Sequence, residues 1–161
     1  MTVRTVDSSH PEYKQLKALL PKLAHRVALA TEAKTGIKPD AKKIEQALYW
    51  AQLGSEEQFV LVTAGPCLVG YTIGQPWWGD MVALSEEFVV RYKPGNFADT
   101  IKDLEEHAKA LGCTALVISS LAMVRQESYG NYLKRKGFRE VSREYMKGID
   151  NGKNPWRDHW R

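Results

Sequence analysis

The sequence predicts a single α/β domain with a mixed, mostly antiparallel central sheet flanked by helices. β-branched and alternating runs fill the middle of the chain, and segments with helical apolar spacing stand on both sides of them. The 161 residues suffice for one domain that buries a core without disulfides. We assign residues 1–150 to this domain and residues 151–161 to a polar, tryptophan-containing tail.

The N-terminal third predicts a short strand followed by two amphipathic helices. Residues 2–6 alternate, and Ser8 and Ser9 offer an N-cap for a first helix with apolar residues at three- and four-residue steps. The polar stretch 32–40 then predicts a loop, and a second helix begins after Asp40. These helices supply apolar faces that a sheet can cover.

The middle of the chain predicts three consecutive strands. Residues 59–64 and 67–74 are β-branched runs on either side of a Gly-Pro turn, so they predict a hairpin. After a loop over 75–80, residues 81–90 form a third and longer strand. Strands connected in this way pair antiparallel.

The C-terminal half alternates helices and strands. Four elements follow in order: a helix over 94–112, a buried strand over 113–120, a short helix over 127–137 and a last strand over 139–149. Both helices end at a glycine, which is the residue that most readily closes a helix in a left-handed conformation. A strand–helix–strand crossover of this kind adds parallel pairing to the sheet.

Composition excludes several classes of protein. Cys67 and Cys113 lie in apolar segments and predict buried thiols in a reducing compartment, and the scattered histidines predict no metal site. No apolar run approaches the roughly 20 residues that span a bilayer. The N-terminus lacks the apolar core of a signal peptide, so we expect a cytoplasmic protein.

The charge is uneven along the chain. Residues 1–90 contain nine Lys/Arg and ten Asp/Glu, whereas residues 91–161 contain fourteen and nine. A basic C-terminal half suits an anionic ligand such as a nucleotide cofactor, although a solvated basic face explains the charge equally well. No recognisable nucleic-acid-binding motif accompanies it, so we rank a nucleic-acid partner last.

The order of elements resembles that of the GNAT N-acetyltransferases, over nearly the whole chain. The most specific match is residues 131–149, NYLKRKGFREVSREYMKGI, which resemble the family's last helix, its Gly-Phe corner and the returning strand. The corner here is Gly137-Phe138. Residues 99–113 and 113–120 resemble the preceding helix and the fifth strand. The resemblance implies a GNAT fold with acetyl-CoA as substrate and no metal.

The resemblance also implies a cofactor loop where the third helix begins. The family's pattern is Arg/Gln-x-x-Gly-x-Gly/Ala, and Lys93 stands for its basic residue, Asn96 for its central glycine and Ala98 for its final small residue. Backbone N–H groups at a helix N-terminus attract phosphate. The implied cofactor-binding set is Val89, Val90, Lys93, Gly95, Asn96, Phe97, Ala98 and, in place of a family Asn, Gln126. The open alternative is a plain strand-to-helix turn.

Catalytic residues follow from the same resemblance. The family uses a glutamate base near this strand, and Glu86 and Glu87 are adjacent there, where successive side chains point to opposite faces. We favour Glu86. In the family a tyrosine in the last helix often acts as the general acid, and Leu133 occupies its position in this chain. Tyr132 and Tyr129 are therefore the nearby candidates for the acid. The alternative for the glutamates is one ion pair and one solvated side chain.

We therefore expect an N-acetyltransferase that moves an acetyl group from acetyl-CoA to a primary amine. The alternative is a catalytically inactive GNAT-fold interaction protein, such as a divergent phage-encoded, virion-associated member, because the cofactor loop departs from the family pattern. Four tryptophans suggest a docking surface for a second copy or a protein partner: Trp77, Trp78, Trp156 and Trp160.

Overall fold

The computed structural model describes residues 3–54, 58–119 and 126–141, which contain five strands and four helices. In chain order these are β1 (Arg4–Thr5), α1 (Tyr13–Thr35), α2 (Ala41–Gln52), β2 (Val60–Ala64), β3 (Cys67–Gly74), β4 (Ala83–Arg91), α3 (Phe97–Ala110), β5 (Ala115–Val117) and α4 (Gln126–Arg135). The predicted order of elements is confirmed up to α4. Residues 142–149, most of the predicted last strand, lie outside the described residues.

The strands form one sheet in the order β1-β2-β3-β4-β5. All neighbours pair antiparallel except β4 and β5, which are parallel because α3 carries the chain back across the sheet. The predicted mixed and mostly antiparallel sheet is therefore confirmed. The parallel pair forms one side of the candidate site.

Each face of the sheet covers its own core. One cluster joins α1 and α2 to the sheet and includes Leu16, Leu61, Leu68 and Phe88. The other lies between the sheet and α3 and includes Val69, Tyr71, Leu84 and Leu104. Alternation along the strands divides their side chains between the two clusters. Cys67 and Cys113 are buried and unpaired by disulfide, as predicted.

The start of α1 differs from the prediction. Ser9 does not cap the helix, because its N–H and hydroxyl both donate to Asp7 Oδ1 in a preceding turn. The helix begins at Tyr13, and Glu12 occupies the cap position without a side-chain cap bond. The sequence signal of serines before a helix was therefore a turn signal in this case.

The end of α1 also differs. The predicted loop over 32–40 begins too early, since α1 continues to Thr35. The helix ends at Gly36, which has a φ of 67° and donates its N–H to the Glu32 carbonyl. Only glycine takes this left-handed position readily, so it fixes the helix end. None of the described helices is long and apolar enough to cross a membrane.

Candidate active site

β4 and β5 separate partway along β4. They pair over three residue positions, the last being Ser85 opposite Val117, while β4 continues against β3 to Arg91. Within the described part of the chain, the second edge of β4 has no strand partner beyond Ser85. Residues 86–91 of β4 therefore have an open edge on the side from which β5 departs. We call this opening the wedge.

Glu86 lies where the wedge begins. Its side chain is only 5% exposed, and its Oε2 accepts the N–H of Ser119 at 2.8 Å. Ser119 follows the end of β5 by two residues, so this carboxylate spans the two strands just after their ladder stops. A buried carboxylate needs such a donor, because removing its charge from water is otherwise costly.

A β-bulge separates the two adjacent glutamates. Gly70 pairs with Phe88, but Tyr71 pairs with Glu86, so Glu87 is an extra residue in β4. Glu86 therefore shares the face of Tyr71 and α3, whereas Phe88 packs on the α1 and α2 face. In a regular strand residues 86 and 88 would share one face.

Glu87 has a different environment from Glu86. It is exposed, and its Oε1 accepts a hydrogen bond from the hydroxyl of Thr72 at 3.0 Å. It forms no ion pair with any of the described residues. The two carboxylates thus differ in their burial, in the residue that donates a hydrogen bond to them and in the face of the sheet on which they lie.

Gly70 leaves room for the ring of Phe88 next to the bulge. A Cβ atom at this position would lie 2.3 Å from Cε1 of Phe88, far closer than atoms can approach. The ring of Phe88 occupies that space and packs edge-on against Phe59, with ring centroids 5.0 Å apart. A glycine inside a strand often marks a bulge or a close approach, and here it does both.

Three predicted residues form an aromatic cluster on the α3 side. The ring centroid of Phe97, at the start of α3, lies 5.4 Å from the ring centroid of Tyr129 and 6.1 Å from that of Tyr132. Both tyrosine hydroxyls are buried, and neither has a hydrogen-bond partner among the described residues. Burial, together with the nearby charge of Glu86, raises the pKa of Tyr129 above its ordinary value.

Tyr71 and His107 form a second polar contact beneath α3. The Tyr71 hydroxyl lies 3.0 Å from His107 Nε2, and Tyr71 stands directly opposite Glu86 in the sheet. Burial lowers the pKa of His107, so its imidazole remains neutral at neutral pH. This pair ties β3 to α3 beside the buried glutamate.

The junction between β4 and α3 is held by side chains of the junction itself and of the β2–β3 turn. Asn96 is extended, with a φ of −92°, and caps α3 by accepting the N–H of Ala98 on its Oδ1 at 3.0 Å. The left-handed conformation that asparagine would tolerate here is not used. Gly95 is required for another reason: a Cβ there would lie 2.7 Å from Pro66.

Lys93 is engaged within the protein. Its Nζ lies 2.9 Å from Glu12 Oε1, and Tyr92 donates its hydroxyl to the same oxygen at 3.3 Å. The hydrogen bond to Glu12 raises the pKa of Lys93. Val89 and Val90 are buried in the cores on opposite faces, so a ligand in the wedge could contact their backbone but not their side chains.

Other predicted residues are less constrained by the structure. Gln126 begins α4, but its side chain is not among those described. Trp77 is 96% exposed and Trp78 is also exposed, in a loop that encloses a depression of about 520 Å³. Trp156 and Trp160 lie outside the described residues. The C-terminal tail and its docking role therefore stay predictions. Within the described ranges, no group of side chains could hold a metal ion.

Sequence reasoning missed several features of the site. The bulge had one signal, the isolated Gly70 in an otherwise β-branched strand. The Glu12–Lys93 pair had none, because its members are 81 positions apart. Arg26 was also missed: its Nη1 donates to the Arg91 carbonyl, 65 positions away, at 2.6 Å.

Comparison with known proteins defines the fold. No family model matches the sequence, and no curated protein matches it significantly. A GNAT family acetyltransferase from Staphylococcus aureus aligns with a TM-score of 0.57 and 16% identity, over 92% of this chain and 98% of the other. An aminoglycoside acetyltransferase from an uncultured soil metagenomic sample has a TM-score of 0.50 and 14% identity, over 92% and 98%.

The same architecture occurs in a protein described as a transcriptional regulator from Bacillus halodurans. It aligns with a TM-score of 0.53 and 16% identity, over 92% of this chain and 99% of the other. At such identities the likeness concerns the fold, since one fold carries many functions. The fold predicted from the sequence is confirmed.

Proposed function

We propose that this chain, which has the GNAT acetyltransferase fold, moves an acetyl group from acetyl-CoA to a primary amine. The observation that carries the proposal is the wedge: β4 loses its β5 partner after Ser85, and the buried Glu86 stands at that point. An open strand edge can bind an extended, amide-containing chain such as the pantetheine arm of CoA through backbone hydrogen bonds.

The reaction makes three demands. The amine must lose a proton, the thioester carbonyl must be polarised as nitrogen attacks it, and the thiolate must be protonated as the carbon–sulfur bond breaks. A carboxylate, a backbone N–H and a hydroxyl can meet these demands. The wedge and the aromatic cluster beside it offer all three kinds of group.

Glu86 is our candidate for the base. Its carboxylate lies between the two strands, where it accepts a hydrogen bond from Ser119. A carboxylate within reach of an amine can take its proton directly or through a bridging water. Glu87 is less suitable because it is exposed and bonded to Thr72 on the opposite face.

The strand edge and the tyrosines supply the other two groups. Within the described residues β4 has no strand partner on its wedge edge beyond Ser85, so a backbone N–H on that edge can polarise the thioester carbonyl. Tyr129 carries its phenol proton at neutral pH, as tyrosines ordinarily do, and its buried hydroxyl has no hydrogen-bond partner among the described residues. It is therefore our first candidate for the donor to the CoA thiolate, with Tyr132 beside it.

The experiment begins with ligand binding. Millimolar acetyl-CoA should raise the melting temperature by several degrees, because a ligand at 100 times its Kd stabilises the native state by about 2.7 kcal/mol. ATP, which has the nucleotide but not the pantetheine arm, serves as the control. Release of CoA thiol is then measured with a panel of primary amines.

Two outcomes would contradict the proposal. An unchanged melting temperature at saturating acetyl-CoA concentrations would exclude the substrate. Binding without thiol release for any amine class, including peptides, polyamines and amino sugars, would favour an inactive protein that has kept the fold.

A further inference from the structure

The middle of the chain carries negative charge alone. Residues 44–90 contain six Asp/Glu and no Lys, Arg or His. This span includes β2, β3 and all of β4 except Arg91, so it supplies the strands beside the wedge. The acidic residues are Glu45, Glu56, Glu57, Asp80, Glu86 and Glu87. Their summed field attracts a positively charged substrate to this part of the molecule.

The loop between β3 and β4 presents two tryptophans to solvent. Trp77 is 96% exposed and Trp78 is 65% exposed, and neither belongs to the cores on the two faces of the sheet. The loop is held by its own hydrogen bonds, from the Gly79 N–H to the Pro76 carbonyl and from Gln75 Nε2 to the Gly79 carbonyl, both at 3.2 Å. Burial within this domain therefore does not account for the two rings.

An ammonium group fits this loop. The face of a tryptophan ring attracts a cation more strongly than that of any other aromatic side chain. Asp80 lines the same depression as the rings and forms no ion pair with a described residue. The cation–π contacts of the described residues involve Lys93 and Lys136, and neither tryptophan takes part in one. Within the part of the chain that the structure describes, the rings and the carboxylate therefore have no cation of their own.

The loop lies a short distance from Glu86 along β4. The strand begins at Ala83, opposite Gly74, and Glu86 follows three positions later, which corresponds to about 10 Å. The open edge over residues 86–91, where we place the CoA arm, extends from Glu86 in the other direction. The side toward the loop is therefore left to the acceptor, and a single amine group cannot contact both Glu86 and the loop.

We propose that Trp77, Trp78 and Asp80 bind a second positive charge of the acceptor, so that the substrate is a diamine or polyamine rather than a monoamine. This inference rests on the proposed function, because it names the class of amine whose first nitrogen is acetylated beside Glu86. The acetylated nitrogen loses its charge in the reaction. The ammonium on the loop keeps its charge and serves only to hold and select the substrate.

The test compares diaminooctane with aminooctanol, each with its groups at the two ends of the chain, so that they differ only in the second ammonium. The wild type should prefer the diamine, measured as the ratio of the two kcat/KM values from release of CoA thiol. The double variant Trp77→Ala/Trp78→Ala should lower this ratio about tenfold, which corresponds to about 1.4 kcal/mol. Asp80→Asn keeps the rings and should lower the ratio by a smaller factor.

The matched control is Trp50→Ala, which removes an exposed tryptophan of α2 and should leave the ratio unchanged. Calorimetric titration of diaminooctane into the protein without acetyl-CoA measures the cation site apart from catalysis. Binding should weaken about tenfold in the double variant and stay unchanged in the control. Because both rings are exposed, the melting temperature of the double variant should stay close to that of the wild type.

Three outcomes separate this inference from the proposed function. A wild type that uses both acceptors equally well, or a ratio that the double variant leaves unchanged, overturns the inference while acetyl transfer stands. A double variant that alters the elution volume on a sizing column but not the ratio overturns it by assigning the rings to a second copy of the chain. If diaminooctane binds through the two tryptophans but no amine releases CoA thiol, the proposed function fails and the cation site remains.

Discussion

The two ends of β4 differ in what they leave available to a ligand. At the wedge, the strand loses its neighbour and keeps a buried carboxylate beside an open edge. At the junction with α3, the chain engages several of its own donors, through Asn96, Pro66 and the Glu12–Lys93 pair. The comparison teaches that one strand can have an open edge at one end, where its neighbour departs, and an edge engaged by side chains at the other.

The largest expected effect concerns the wedge end. Glu86→Gln should lower kcat about 10²- to 10⁴-fold, the range for loss of a general base, because an amide cannot take the proton. Gln keeps an acceptor for the Ser119 N–H, so folding and acetyl-CoA affinity should change little. The measurement is steady-state kinetics together with a binding titration.

Glu87→Gln is the matched control for this prediction. It removes the same charge one residue away, on the exposed side of the bulge, and should lower kcat far less. If Glu87→Gln proves the more damaging change, the base lies on the opposite face and our assignment of the wedge carboxylate is wrong. Equal loss of rate and affinity in Glu86→Gln would indicate a positioning role.

The second effect concerns the bulge that separates the two glutamates. Gly70→Ala forces a Cβ against the ring of Phe88 and should lower the free energy of unfolding by about 1–3 kcal/mol, as overpacking does. Urea unfolding measures the difference. Gly74→Ala, in the same strand but with open space around its Cβ, should cost much less. Equal costs would mean that Phe88 moves aside easily.

The smallest effect concerns the junction end and depends on pH. His10 is buried, with Nε2 2.7 Å from Thr63 Oγ1 and Nδ1 accepting the Glu12 N–H at 3.0 Å. Burial lowers the pKa of His10 from its ordinary 6.5, so the unfolded chain takes up the proton first as pH falls. Its contribution to stability is complete above pH 6.5 and is lost below it.

The measurement is the free energy of unfolding at pH 7.5 and at pH 5.5. We expect the wild type to lose stability as the pH falls across this range, because the unfolded chain binds this proton more readily than the folded chain. His10→Gln should flatten the dependence, whereas His25→Gln, which removes an exposed imidazole from α1, should leave it intact. A wild-type stability that does not change over this range would contradict the prediction.

Most of the fold could be predicted because its signals are local. Period and composition located the elements up to α4, and glycines marked helix ends at Gly112 and Gly137, both of which have positive φ. Helix limits were less predictable. Ser9 bonds to Asp7 instead of capping α1, and only Gly36 fixes where that helix stops.

The site was predictable in part. Adjacent glutamates on a strand predict opposite directions, and the structure separates them through a bulge that depends on strand pairing. Loop chemistry was harder, because Asn96 was compared with a glycine in the family pattern, whereas in the structure it caps a helix. Contacts such as Glu12–Lys93 and Arg26–Arg91 join distant positions, and no local pattern contains them.

The short parallel ladder also bears on how the chain folds and moves. β2, β3 and β4 pair through nearby turns, but β4 meets β5 only after α3, and Val82 bonds to Thr114 across 32 positions. Closing the long loop between these strands costs conformational entropy, and the three residue pairs of the ladder offset little of that cost. We therefore expect β5 to dock last and open first, so its amides should exchange with deuterium before those of β3.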